Sequence, residues 1–357
     1  MPDVSADRQT TASPADARSL GAYTTLRLGG PAGAMSVVNR ADDAVAAVRA
    51  ATAADEPVFV LAGGSNVVVG DAGFPGTVVL LRTSGATVVS RDATHAVLRV
   101  AAGEVWDDVV ARTVAEGLSG LECLSGIPGS AGATPIQNVG AYGQEVAQTI
   151  VAVHAYDRVT DEVRAFTPQE CGFAYRSSIF KHTDRWVVLE VDFRLAVSGD
   201  SAPIRYAELA RGLGVEVGAR VPQALAREAV LKLRAGKGMV LDAEDRDTWS
   251  VGSFFTNAVL SAPQWAALRE RAEPPHWPGD EGAVKVSAAW LIEHAGFPKG
   301  YGRDGVAIST KHTLALTNRG GGTTAALLGL AREIRDGVRD RFGVELHPEP
   351  VLVNCAL

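Results

Sequence analysis

The sequence predicts an α+β fold, and three features point that way. Strands and helices follow one another in mixed order with few clean βαβ units. Seven glycines crowd the stretch Gly117 to Gly143, and helical periods dominate only after the Val197–Pro203 segment. At 357 residues and 46% hydrophobic content, the chain can build two or three domains, each with its own core. That apolar content excludes general disorder, and 38 glycines without a repeating period exclude a fibre.

The first 19 residues are polar, lack an apolar run and read as a flexible tail rather than a signal peptide. A helix is expected over Asp43–Ala53 with Asp42 as N-cap, then a strand at Pro57–Leu61. Thr77–Leu81, Thr87–Ser90 and Ala96–Ala101 read as strands bounded by Gly, Ser and Asp. A helix over Val105–Glu116 stops at Gly117, a natural C′ residue. The glycine-rich stretch that follows is too long and too apolar for a linker, which marks it as functional. Strands resume at Thr149–Tyr156, Glu162–Phe166 and Arg185–Leu195. A domain boundary falls near 198–203. Beyond it, helices are expected at Pro222–Arg234, Ala262–Arg271, Ser287–His294 and Thr324–Phe342, with strands at Val306–Ile308 and Leu314–Thr317.

Charge and cysteine usage narrow the function classes. A net charge of −7 argues against a broad nucleic-acid surface but leaves room for a local cationic pocket. Cys123, Cys171 and Cys355 lie far apart, so neither a disulfide framework nor a thiolate zinc site is legible, which suits a reducing cytosol. The seven histidines show no i, i+4 pairing, and no metal is expected. No apolar run reaches the ~18–20 residues of a membrane span. Gly300–Gly305 spells G-x-G-x-x-G, but a helix precedes it and a strand follows. It therefore reads as a turn, not a dinucleotide fingerprint.

Other segments carry chemistry more directly. Gly63-Gly64-Ser65-Asn66 follows a strand, and its successive N–H groups make either a nest for a diphosphate or a tight hairpin turn. In Gly126–Gly143, glycines spaced by three let backbone approach a planar or phosphorylated ligand; the alternative is a ligand-free surface loop. Arg176, in Tyr175–Lys181, is either a site cation or a solvated turn residue. Ser253, between Gly252 and Phe254-Phe255, is either a catalyst or a satisfied hydroxyl. Glu349, flanked by prolines ahead of an apolar strand, is either a site acid or a guard of a sheet edge.

In this order, TTLRLGGPA, LAGGSNVVVGD, GIPGSAGATPIQNVGAYGQEV, YRSSIFK, IRYAEL, VGSFFTN, VKVSAAWLIE, KGYGRDGVAISTKHTLALTN and ELHPEP resemble the UDP-N-acetylenolpyruvoylglucosamine reductase (UDP-N-acetylmuramate dehydrogenase) family. These are flavoenzymes of bacterial peptidoglycan synthesis, hence of cell-wall biogenesis, cell shape and division. The resemblance runs from about residue 24 to 350. It implies a two-lobed FAD-binding domain of the PCMH/vanillyl-alcohol-oxidase type at 20–200, split near 85, and an α+β substrate-binding domain at 201–357.

It implies further that Gly63, Gly64, Ser65 and Asn66, with Gly126, Ile127, Pro128, Gly129, Ser130, Gly132, Gln137, Asn138, Gly140, Tyr142 and Gly143, line FAD. Arg176, Ser253 and Glu349 become the catalytic set. Tyr206, Lys237 and Asn257 match positions that contact the nucleotide-sugar, with Tyr206 closing over it. His312 stands where the family can carry Gln, and its substrate contact carries over on that basis. The implied reaction is NADPH-dependent reduction, through FAD, of UDP-N-acetylglucosamine enolpyruvate to UDP-N-acetylmuramate in the cytoplasm. NADPH and substrate use one pocket in turn, so no dinucleotide fingerprint is needed.

The chain departs from the pattern in places. The last motif reads Leu346-His347-Pro348-Glu349-Pro350-Val351 where L-E-P-E-V is common, and a basic residue that can follow the acid is missing. Thr256 and Ala258 replace a Lys and a Pro beside Asn257. The alternatives are an oxidase of the same cofactor fold, marked by oxygen-driven turnover without NADPH, and a non-catalytic flavin or nucleotide-sugar binder, marked by no bleaching with NADPH.

Overall fold

A computed structural model describes residues 18–357; the polar tail expected at the N-terminus lies almost wholly outside the described residues. Two sheets build the first part of the chain. Strands Ala32–Val38, Phe74–Leu81 and Val58–Leu61 pair in parallel, with Phe74–Leu81 central. The helix Ala41–Ala53 makes the crossover between the outer two, burying Ala44, Val45, Val48 and Ala51 at helical spacing. Its N-cap is Arg40, without a side-chain cap bond, and not Asp42 as expected. Asp42 and Asp43 fall inside the first turn, where their charge complements the exposed N–H groups.

After residues 82–85 the chain enters an antiparallel sheet. Its order is Glu162–Phe166, Ile150–Asp157, Trp186–Val197, His95–Ala101 and Ala86–Arg91, with Leu118–Ser119 pairing beside Trp186–Val197. The helix Trp106–Ala115 packs on it through Trp106, which is fully buried 5.6 Å from the Phe193 ring. The indole N–H donates to the Leu124 carbonyl at 3.1 Å, so the one polar atom of that side chain is paired in the core. Gly117 follows at φ +66°, the left-handed stop expected of it.

The second half builds a four-stranded sheet, Ser250–Ser253, Ala315–Asn318, Val306–Ile308 and Gly302–Arg303, packed against the helix Thr324–Phe342. Gly302–Arg303 and Val306–Ile308 form a hairpin with Asp304 at φ +54° and Gly305 at φ +74°. The G-x-G-x-x-G segment is therefore a tight turn, as expected. A smaller sheet joins Ala258–Leu260, Val284–Val286 and His276–Pro278.

Two features lock the halves together. The Asp71 carboxylate accepts the Thr324 and Ala325 N–H groups, both at 2.8 Å, and so caps the helix Thr324–Phe342 from the first half. The last strand, Val351–Val353, leaves the second half and pairs in parallel with Val67–Val69, directly after the Gly63–Asn66 turn. The C-terminus thus returns to the glycine loop. Among the described residues no helix is long and apolar enough to cross a membrane.

Candidate active site

The first glycine turn and the glycine-rich stretch lie against each other. A methyl group on Gly63 would stand 2.6 Å from the Gly129 Cα, a distance that real side chains do not tolerate. Gly132 is equally enclosed, its added carbon falling 2.4 Å from the Ala102 Cβ. Gly63 therefore serves close backbone-to-backbone packing that joins the two segments into one wall, while Gly132 lets the stretch pack closely on Ala102. Short 3-10 turns at Glu122–Leu124 and Ala131–Ala133 and a two-residue ladder of Gly140–Ala141 with Gln144–Glu145 order the rest of the stretch.

Ser65, Asn66, Ile127, Pro128, Gln137 and Gly140 face a single cleft, and Arg176, Ser253 and Glu349 line the same cleft. Asn66 Nδ2 donates to Gln137 Oε1 at 2.6 Å, joining the two glycine segments. The Asn66 carbonyl accepts Val351 N–H at 2.9 Å, which fixes the approach of Glu349. Glu349 N–H in turn donates to the Phe254 carbonyl at 2.8 Å, placing the acid beside the strand that carries Ser253.

Arg176 sits in the tight turn Ala174–Ser177 at φ +53°, a conformation that costs a non-glycine residue ~1–3 kcal/mol. Hydrogen bonds from and to neighbouring segments hold it there. Its Nη2 donates to the Gly140 carbonyl at 2.9 Å, and Lys181 Nζ donates to the Arg176 carbonyl at 2.9 Å. Asn138 Nδ2 donates to the Ala174 carbonyl at 3.1 Å and to Glu145 Oε2 at 3.0 Å. Arg176 Nε lies 3.2 Å from Glu349 Oε1. Burial pushes the Glu349 carboxyl above its ordinary range, although Arg176 and Lys181 both pull the other way. Desolvation outweighs the nearby cations, because one carboxylate oxygen accepts from a single guanidinium while the group is almost shut off from water.

The remaining expected residues stand off this wall. Gly64 turns at φ +58°, with Tyr23 backbone where a side chain would go. Gly126 lies under Leu231 and Arg234, and Gly143 against Arg205. Tyr142, Tyr206 and Lys237 cluster nearby: the two rings meet edge to face at 5.5 Å, and Lys237 Nζ donates to Glu208 Oε2 at 2.8 Å. Asn257 accepts Ala288 N–H at 3.1 Å, a bond that supports the start of the helix Ala288–His294. Burial, helped by Lys237, Lys299 and Arg234, lowers the His312 pKa to about 4.

Sequence reasoning missed Arg234. Its side chain reaches the cleft from the helix Gln223–Gly236, with Nη2 on the Met239 carbonyl at 2.8 Å and a buried Nε that has no partner among the described residues. Burial pulls its pKa down, and only Tyr142 and Asp107 oppose this. A buried cation that pairs with no carboxylate among the described residues is suited to an incoming anion. The legible signal was two basic residues ahead of a glycine, Arg234-Ala235-Gly236-Lys237-Gly238.

Fit to a flavin nucleotide can be judged from these residues. Ser130 is buried, and its hydroxyl has no partner among the described residues. It lies beside Gly129 in the fused glycine wall, where an anionic group would satisfy it. Arg234, which lines the cleft with a buried Nε, offers a cation there as well, and both groups fit the anionic parts of FAD.

Fold and cleft define the class. Residues 33–164 match the family described as "FAD binding domain", and the chain is an FAD-dependent oxidoreductase with a separate α+β substrate domain. Residues 243–353 match "UDP-N-acetylenolpyruvoylglucosamine reductase, C-terminal domain". The UDP-N-acetylenolpyruvoylglucosamine reductase of Salinispora arenicola is 66% identical over 345 residues, covering 95% of each chain. That of Thermobifida fusca is 57% identical, covering 94% of this chain and 96% of the relative. Among solved structures, the reductase of Thermus caldophilus superposes with a TM-score of 0.64 at 25% identity, covering 94% of this chain and 97% of that one. The chain belongs to the UDP-N-acetylenolpyruvoylglucosamine reductase family.

Proposed function

We propose that the cleft shared by Arg176, Ser253 and Glu349 is where this chain performs the reduction typical of its family. The activity is NADPH-dependent, FAD-mediated conversion of enolpyruvyl-UDP-N-acetylglucosamine to UDP-N-acetylmuramate for peptidoglycan synthesis. Convergence of these three side chains on the wall built by Ser65, Asn66, Ile127 and Pro128 carries the proposal. Bound FAD supplies the two-electron relay between NADPH and the enolpyruvyl group.

The chain's own groups have separable tasks. When the β-carbon of the enolpyruvyl ether gains hydride, negative charge develops at the α-carbon and spreads into its carboxylate. Arg176, held in place by Gly140 and Glu349, offers that carboxylate a preorganised cation. Glu349 stays protonated beside it, since burial and a second negative charge favour the neutral acid. Ser253 gives its proton to the α-carbon, a transfer within reach of a hydroxyl because a carbanion is a strong base. Neutral His312 offers one donor and one acceptor, as the Gln it replaces would. Ser130 and Arg234 would hold the cofactor's anionic groups. NADPH and the nucleotide-sugar take turns in one pocket, and the location is cytoplasmic.

The test is spectroscopic. Under anaerobic conditions NADPH should bleach the flavin of the purified protein, and the enolpyruvyl substrate should then restore its oxidised spectrum. A protein that cannot be loaded with FAD, or bleached flavin indifferent to the substrate, overturns the proposal.

A further inference from the structure

Tyr142, Tyr206, Glu208 and Lys237 come from three separate pieces of chain. Tyr142 belongs to the glycine-rich stretch, Tyr206 and Glu208 to the start of the helix Ala207–Leu213, and Lys237 to the end of the helix Gln223–Gly236. Lys237 Nζ lies 5.9 Å from the centre of the Tyr142 ring and 2.8 Å from Glu208 Oε2. Both charged side chains are partly open to solvent, at 36% and 39% exposure, so an incoming ligand can reach the pair. Lys237, Lys299 and Arg234 also converge electrostatically on His312. The chain's net charge is −7, yet all three of these cations act on one imidazole, and Glu208 is the carboxylate that pairs with Lys237.

We propose that Glu208 is a displaceable counter-charge: it holds Lys237 in the free enzyme and gives the ammonium up to the diphosphate of the nucleotide-sugar. This rests on Lys237 being the diphosphate contact. A carboxylate and a diphosphate sharing one ammonium repel each other, so substrate binds against the Glu208 pair. The product carries the same diphosphate, and Glu208 therefore hastens its release by reclaiming Lys237. Glu208 is a positioning residue, acting through Lys237. A plain structural role also exists for an acid in the first turn of a helix, where it complements the exposed N–H groups. That role predicts lower thermal stability on substitution and unchanged nucleotide affinity.

The experiment uses the FAD-loaded full chain and UDP as probe, with affinity measured by calorimetry. Glu208→Gln should lower the UDP Kd about twofold to fivefold, the strength of an exposed ion pair. KM for the enolpyruvyl substrate should fall alongside, kcat should not rise, and the gain should shrink in high salt. Glu208→Asp, which keeps the charge on a shorter arm, should fall between. Lys237→Met should weaken UDP binding, and Glu208→Gln on that background should add no tightening. If Lys237→Met leaves the UDP Kd unchanged, the diphosphate role of Lys237 fails and the counter-charge with it. If Lys237→Met weakens UDP binding while Glu208→Gln also weakens it or leaves it unchanged, the diphosphate role stands and the counter-charge is overturned.

Discussion

Arg176 Nε stands 3.2 Å from Glu349 Oε1, yet the Glu349 carboxyl titrates above its ordinary range. Burial exceeds the pull of the guanidinium, so the pair is poised to hold a proton. A carboxyl with a raised folded-state pKa stabilises the fold fully below its unfolded value, and that contribution is lost as pH rises through the raised one. Glu349→Gln lacks this dependence. Its melting temperature should gain on that of the parent as pH goes from about 4 to about 8, a range spanning the carboxyl's unfolded value and above. A difference that stays constant with pH would show that Glu349 is not perturbed.

Arg176 pays for its place with a φ of +53°. Arg176→Gly removes that strain, so the fold should be no less stable, within about 1 kcal/mol, while activity collapses with the lost cation. Arg176→Lys keeps the charge but not the planar fork that reaches both Gly140 and Glu349, and should lose at least about tenfold in kcat/KM. Thermal melts beside steady-state kinetics check both.

Gly63→Ala should loosen the fused glycine wall, because its new carbon would meet Gly129 backbone at 2.6 Å. Overpacking against backbone typically costs about 1–3 kcal/mol. Flavin should dissociate more readily from this variant on dialysis, whereas Gly329→Ala, on the helix Thr324–Phe342 with ordinary helical backbone and nothing within 4 Å, should retain flavin as the parent does.

His312 is neutral at physiological pH, its pKa lowered to about 4 by burial first and three nearby cations second. Between about pH 6.5 and pH 4 the unfolded chain binds a proton that the folded chain refuses. Stability should therefore decline across that window as pH falls. His312→Gln should flatten the decline, as measured by denaturant midpoints at several pH values.

Much of this architecture is legible in local pattern. The helix Thr324–Phe342 has the limits its periodicity predicts, and Gly300–Gly305 is the turn its flanks require. Arg176, Ser253 and Glu349 stand out by motif, but their meeting is non-local. It depends on Val351–Val353 crossing back to Val67–Val69, and a three-residue apolar run carries no sign of its partner. The seven-residue helix Ala207–Leu213 is too short to show a period, so the Glu208–Lys237 pair was hidden with it. Asp42 looked like a cap by residue type, but the helix starts before it. Likewise the glycines suggested open backbone facing a ligand, whereas Gly63 and Gly132 are there to let protein pack on protein.

In the proposed mechanism Ser253 protonates the substrate's α-carbon in the cleft it lines together with Arg176 and Glu349. Single-turnover absorbance of Ser253→Ala, followed anaerobically, tests it directly. NADPH should bleach the flavin at the parent rate, while reoxidation by the enolpyruvyl substrate should slow by about 10²–10⁴, the usual contribution of a positioned general acid. Reoxidation at the parent rate would contradict the assignment.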